Sequence, residues 1–277
     1  MGEKNFGNGL GIDLSIVREE TRVNQHDFRL DGKVALITGA SGGIGEQIAL
    51  SFASAGASVI LSARTLSSLN EVARRIEMES GQVPIVWECD VTNAADMQQR
   101  IAATNGIDIL VNNAGTNIPK PFIETSESDL DAVCNLNIRS TFLVTQAAVR
   151  KMLQDPDRAR KASVIFITSQ MGHVGSPDRS AYCMSKHALE GLTKALAVEI
   201  APHGIRVNSI APTFVDTPLV RRIVDTQEKK DYLFSKIPMG QLASVDDIAA
   251  AALFLGSSAA AMITGTSLRV DGGWTAQ

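Results

Sequence analysis

Cysteine and aromatic side chains are scarce in this chain. The three cysteines, Cys89, Cys134 and Cys183, are an odd number with no C-x-x-C spacing. That argues against a disulfide framework or a zinc site and suits a reducing compartment. No metal site is expected. Long hydrophobic runs are missing too: no stretch reaches the roughly 18 to 20 uninterrupted apolar residues that a membrane helix needs. Residues 1–27 are polar, Gly/Asn-rich and then charged, without the apolar centre of a signal peptide. A cytoplasmic protein with no membrane partner is therefore expected. Nor does one sign of charge dominate. The formal net charge is −4, and the 26 lysines and arginines are scattered, which gives no footprint for nucleic acid or an anionic membrane.

The hydrophobic set makes up 44% of the 277 residues, enough to bury a large core and to exclude disorder along the whole chain. The length suits one α/β domain. Residues 1–27 have no sustained period and are expected to be an extension, partly disordered or packed on the surface. From Phe28 the pattern becomes strand, glycine loop, helix, and it repeats. Short apolar runs at 33–38, 58–62, 83–89, 107–111, 163–168, 205–210 and 267–270 read as buried strands. Helices are expected over 46–55, 66–79, 128–135, 138–153 and 181–200, the first closed by Gly56. The alternation predicts a Rossmann-type, doubly wound parallel sheet of about seven strands with helices on both faces, in a single domain over 28–277. No short-period repeat or low-complexity tract interrupts it.

Thr38-Gly-Ala-Ser-Gly-Gly-Ile-Gly45 lies between the first strand and the first helix. In that place Gly39 permits a tight turn, Gly43 lets the backbone approach a pyrophosphate, and Gly45 lets helix and strand pack closely. The helix start offers free N–H groups to an anion. The second strand ends in Ser62-Ala63-Arg64, with no Asp or Glu from Ser58 to Asn70. A carboxylate there would hold a ribose 2′-hydroxyl, whereas the Arg64 guanidinium suits a 2′-phosphate. NADP(H) is therefore favoured, and NAD(H) stays open. Farther along, Tyr182-Cys-Met-Ser-Lys186 places a phenol and an ammonium at i and i+4, on one face of a helix. A neighbouring cation favours phenolate, so the Tyr182 pKa is expected to fall, fitting the phenol to proton transfer.

These motifs together resemble the short-chain dehydrogenase/reductases. The resemblance runs from Phe28 to Gly273 and takes in Thr38-Gly-x-x-x-Gly-x-Gly45, Asp90-Val91, Asn112-Asn-Ala-Gly115, Asn137, Ser169, Tyr182-x-x-x-Lys186, Asn208 with Pro212, and Asp271-Gly-Gly273. It implies an NAD(P)(H)-dependent oxidoreductase acting on a small molecule. Tyr182 would be the acid/base, and Ser169 would hydrogen-bond the substrate oxygen. Lys186 would hold the nicotinamide ribose and lower the tyrosine pKa, and Asn137 would hold a relay water. The cofactor would be lined by Gly39, Ser41, Gly43, Ile44, Gly45, Arg64, Asp90, Val91, Asn113, Ala114 and Gly115, with Tyr182 and Lys186, and by Val215 and Thr217 at the carboxamide. A homo-oligomer, dimer or tetramer, built on the helices over 138–153 and 181–200, is implied as well.

Two positions depart from the family pattern. Thr213 follows Pro212 where many members have Gly, which would stiffen the entry to a substrate lid over 213–240. Gly42 stands where many NADP-binding members carry a basic residue, leaving Arg64 to hold a phosphate with Ser41 and Ser62. The substrate pocket is expected to be lined by 116–119, 170–174 and the lid. Gln170 and His173 are candidates to bond a polyol or sugar acid, or are ordinary loop residues. Arg221, Arg222, Lys229 and Lys230 would attract an anionic substrate or form a solvated helix face. Family members this similar act on 3-oxoacyl thioesters, sugar acids and polyols, or small ketones. The alternative is a redox-silent dinucleotide-binding regulator or scaffold, against which stands the presence of Asn137, Ser169, Tyr182 and Lys186 together.

Overall fold

The computed structural model describes residues 25–217, 220 and 226–277. Residues 1–24 of the extension, and Arg221 and Arg222 of the lid, lie outside the described residues, as does the side chain of Lys229. Seven strands form one parallel sheet: β1 (Val34–Thr38), β2 (Ser58–Ala63), β3 (Ile85–Glu88), β4 (Ile109–Asn112), β5 (Ser163–Ile167), β6 (Arg206–Pro212) and β7 (Ser267–Val270). Their order across the sheet is β3-β2-β1-β4-β5-β6-β7. The helices are α1 (Gly43–Ser54), α2 (Leu66–Ser80), α3 (Ala94–Ala103), α4 (Glu127–Val133), α5 (Thr141–Met152), α6 (Pro156–Ala159), α7 (Ser180–Ile200), α8 (Gln227–Lys236) and α9 (Val245–Gly256).

Strand residues alternate between two cores because successive side chains point to opposite faces. Ala35, Ile37, Ile109, Val111 and Ile165 join α1, α2 and α9 on one face. Leu36, Leu110, Val164 and Phe166 join α3, α5 and α7 on the other. A strand buried on both faces must be apolar throughout, which is why these runs show no polar alternation. Where the structure begins, Phe28 lies against Phe254 with ring centroids 6.4 Å apart, and the Asp27 carbonyl accepts a hydrogen bond from Ser258.

Three expectations about elements need correction. Helix α1 begins at Gly43, not Glu46, so the glycine loop runs straight into its first turn. The helices expected over 128–135 and 138–153 are joined: a π-helical segment, Cys134–Ser140, links α4 to α5 without a break. Its wider turn accommodates the Asn-rich stretch and lies where such segments often mark functional sites. Helices α3, α6, α8 and α9 add to the expected set. Three of them carry start signals in the sequence. Asp155 caps α6 ahead of Pro156. Asn93 caps α3 by accepting from the Asp96 N–H, and Ser244 with Asp247 forms a capping box on α9.

Candidate active site

The order reverses between β1 and β4, so the loops that follow them part and leave a crevice at the carboxyl ends of the strands. The loop after β1 fills one side of it. Gly43 has φ 58°, a conformation costly for a side chain, and a Cβ there would meet only Thr217 Cγ2, at 3.8 Å. The backbone at Gly43 is thus open toward the crevice, with Thr217 facing it. Gly45 is a packing glycine: a Cβ would collide with the Gly39 carbonyl and the Asn113 amide. No side chain caps the start of α1, so its first N–H groups stay available to an anion. Ile44, half-buried, packs on the core beside the loop, and Ser41 and Gly39 are partly exposed along it.

The loop is held from β4. Asn113 Nδ2 donates to the carbonyls of Thr38 (3.1 Å) and Gly39 (3.0 Å). The backbone N–H groups of Asn113 and Ala114 both donate to Thr38 Oγ1. The Asn113 side chain therefore shapes the glycine loop and does not itself reach into the crevice. Gly115 follows, exposed.

At the end of β2, Arg64 is exposed and makes no hydrogen bond or ion pair among the described residues. Its neighbour across the strand ends is Asp90. Hydrogen bonds from the Thr92 backbone and hydroxyl, and then the Arg64 charge, hold that carboxyl below its ordinary range. Val91 beside it is buried. Ser62 does not fit its expected place as a phosphate ligand. It is fully buried, with its hydroxyl turned to Met97 Sδ at 3.9 Å, because the final residues of β2 face the core.

Across the sheet, Ser169 follows β5 and Tyr182 opens α7. Ser169 Oγ accepts from the Met171 N–H (3.1 Å) and donates to Gln170 Oε1 (2.7 Å). Lys186 is buried. Its Nζ donates to the Ile167 carbonyl at 2.9 Å and lies 5.5 Å from the centre of the Tyr182 ring. Burial pushes this ammonium down to about 8, against the pull of the Glu190 carboxylate. The expected fall of the Tyr182 pKa is corrected: burial pushes the phenol up, outweighing a Ser169 hydrogen bond and the Arg179 charge. The ammonium sits over the ring and bonds a carbonyl instead of the phenol oxygen, which is why proximity in sequence does not produce the shift.

Asn137 lies in the π-helical segment and clamps the loop after β4. Its Oδ1 accepts from the Thr116 N–H (2.8 Å), and its Nδ2 donates to the Thr116 carbonyl (2.9 Å) and to Ser185 Oγ (3.0 Å). Ser185 Oγ in turn donates to the Tyr182 carbonyl. Around Gly115, a Cβ would lie 3.3 Å from Asn137 Oδ1 and 3.8 Å from Lys186 Nζ, so these groups border one small space.

On the far wall, Thr213 is tied to β7 by its N–H to the Val270 carbonyl. Val215 is buried and bridged to Ala243. Opposite, the Lys120 N–H donates to the carbonyl of Asp178, joining the loop after β4 to the loop before α7. His173 is not a substrate-facing group. Its Nε2 turns inward, 2.9 Å from Ser267 Oγ and 3.4 Å from Glu190 Oε1. Glu190 is absent from the residues that the sequence singles out. Its signal there is an acidic residue one turn beyond Lys186, on the same face of α7.

A family model described as enoyl-(acyl carrier protein) reductase matches residues 39–275. The chain is 41% identical over 253 residues to D-threitol dehydrogenase of Mycolicibacterium smegmatis, across 90% of this chain and 95% of that one. It is 35% identical over 249 residues to the 3-oxoacyl-(acyl-carrier-protein) reductase FabG of Thermotoga maritima, across 89% and 99%. Among solved structures, a gluconate 5-dehydrogenase from Burkholderia cenocepacia, in complex with NADP and tartrate, matches with a TM-score of 0.85 at 35% identity, covering 91% of this chain and 98% of that one.

Proposed function

The chain belongs to the short-chain dehydrogenase/reductase family, and from that premise we propose that it interconverts a secondary alcohol and a ketone on a small polyol or sugar acid, preferring NADP(H). It is an NAD(P)-dependent oxidoreductase. The observation that carries the reading is the convergence of Ser169, Tyr182 and Lys186 beside the open glycine loop.

The residues present fit a dinucleotide. Gly43 leaves a cradle that a Cβ would narrow, and Arg64 offers an unpaired fork at the end of β2. The glycine loop and the start of α1 would hold the pyrophosphate, Asp90 and Val91 the adenine, and Val215 and Thr217 the carboxamide. When bound, the nicotinamide supplies or accepts the hydride. Tyr182 donates the proton to the substrate oxygen or removes it, and Ser169 holds that oxygen by a hydrogen bond. Lys186 would hold the ribose hydroxyls, and Asn137 would hold a water that links Lys186 to solvent. The described residues of 213–240 would serve as a lid over the substrate.

A polyol or sugar acid is favoured by the likeness to D-threitol dehydrogenase and to the gluconate 5-dehydrogenase. Turnover of short polyols and sugar acids, compared with 3-oxoacyl thioesters, tests the substrate class; fastest turnover of a thioester would overturn it. Cofactor choice rests on Arg64. A charge-assisted hydrogen bond contributes roughly 1.5 to 3 kcal/mol, and ~1.4 kcal/mol is a factor of ten. Arg64→Ala should therefore weaken NADPH binding about tenfold or more and leave NADH binding nearly unchanged. Equal losses for both, read by fluorescence titration, would contradict the assignment. Exposed Phe142 on α5, and Met184 and Val198 on α7, support a homo-oligomer closed over these helices. The free thiols of Cys89, Cys134 and Cys183 support a cytoplasmic setting.

A further inference from the structure

Beneath the Ser169 loop lies a buried carboxylate that the proposed reaction does not use. Glu190 is 5% exposed. Its oxygens accept from Thr168 Oγ1 (2.5 Å), Ser209 Oγ (2.9 and 3.0 Å) and Ser267 Oγ (3.1 Å). One carboxylate thus joins the segment after β5, strand β6 and strand β7 to helix α7. His173 Nε2 lies 3.4 Å away. Gly172 presses on the Glu190 side chain and on the Lys186 backbone, where a Cβ would sit 3.1 Å from each. Both Ser267 and Glu190 approach the same nitrogen of His173. A nucleophile relay needs them on opposite nitrogens, so this cluster is not a second hydrolytic centre.

A fully hydrogen-bonded buried carboxylate can keep its charge, and in a poorly screened interior that charge reaches its neighbours. The charged or titratable groups facing Glu190 are Lys186, one turn earlier on α7, and His173, from the loop after β5. Strands β6 and β7 and the end of β5 present hydroxyls.

We propose that Glu190 is a positioning residue for the reaction: its buried negative charge holds Lys186 in the ammonium form, and its hydroxyl contacts fix the strand ends under Ser169. The inference rests on the role assigned to Lys186 above. The sign follows from the two opposing effects on that lysine. Burial lowers its pKa and Glu190 raises it, so removing the negative charge makes Lys186 lose its proton at lower pH.

The experiment is the pH profile of kcat/KM for the full chain and three variants. Glu190→Gln should move the alkaline limb down by about one pH unit. Glu190→Asp keeps the charge and stretches the contacts, so its limb should coincide with that of the unmodified protein while its denaturation midpoint falls. A Gln variant with an unmoved limb, or an Asp variant shifted as far as Gln, would overturn the proposal. Should the Gln chain not fold, His173→Lys is read instead. It sets a second cation on the carboxylate and should move the limb the same way; an unmoved limb there also overturns the proposal. Lys186→Ala separates the two claims. If it keeps unmodified turnover, the reading of the site fails. If it abolishes turnover while Glu190→Gln leaves the limb in place, only the role of Glu190 fails.

Discussion

A partly buried phenol beside a buried ammonium is driven, like that ammonium, toward its uncharged form, and that opposition governs the chemistry available at Tyr182 and Lys186. The phenol is raised above its ordinary value, and the ammonium falls to about 8. At neutral pH the protein alone therefore holds a protonated phenol, ready to donate toward a carbonyl. The chain has two tyrosines, which makes the point measurable. In a Tyr232→Phe background the remaining phenol is Tyr182. Its ultraviolet tyrosinate absorbance should rise with a midpoint above the ordinary one of ~10, while near-ultraviolet circular dichroism stays native. A midpoint below the ordinary one in the folded protein would mean that a nearby cation outweighs burial. The direction is out of reach of the sequence because i,i+4 spacing reports proximity, whereas burial and the carbonyl that takes the Lys186 hydrogen bond depend on the packed fold. The inward turn of His173 and the buried hydroxyl of Ser62 are hidden for the same reason.

Among the elements, the β1–loop–α1 unit carries the cofactor reading, and a residue of the neighbouring strand loop keeps it in shape. Asn113→Ala removes two hydrogen bonds to the carbonyls of Thr38 and Gly39. Leaving such carbonyls without partners costs about 1 to 3 kcal/mol. The variant should show a lower denaturation midpoint and weaker binding of NADPH and NADH alike, unlike the selective effect at Arg64. Retention of both would show that the loop holds itself. This unit is the most legible part of the chain, because closely spaced glycines between a continuous apolar run and a helix suit a phosphate-binding turn and little else. The paired strand runs are legible for a similar reason: each is apolar, short and ended by a polar or glycine residue. Helix α9 is not, since its Ala-rich stretch over Val245–Gly256 lacks a strong polar face and only its Ser244/Asp247 capping box marks it. The π-helical segment is hidden because Asn135 and Asn137 look like a break, yet Asn137 clamps Thr116 from within a continuous helix.

In the whole molecule, the two ends of the sheet do different work. At the amino ends of the strands, Asp108 accepts from the Val34 N–H (2.7 Å) and from Arg158 (3.2 Å), tying β1 and β4 to α6. Lys33 donates to the Lys161 carbonyl nearby. These contacts join elements and lie away from the crevice. At the carboxyl ends, backbone and side chains are left open: the Gly43 cradle, Arg64, and the space bordered by Gly115, Asn137 and Lys186. That division allows binding and proton transfer to be changed at one end without unfolding the other. On the proposed reading, Tyr182 moves the substrate proton. The most direct test compares the unmodified chain with Tyr182→Phe, measuring NADP(H)-linked turnover of a polyol or sugar acid and cofactor Kd on the same samples. Loss of a positioned acid/base should lower kcat by ~10²-fold or more, while the cofactor Kd stays unchanged because the ring is kept. Near-normal turnover in the Phe variant would contradict that role for Tyr182.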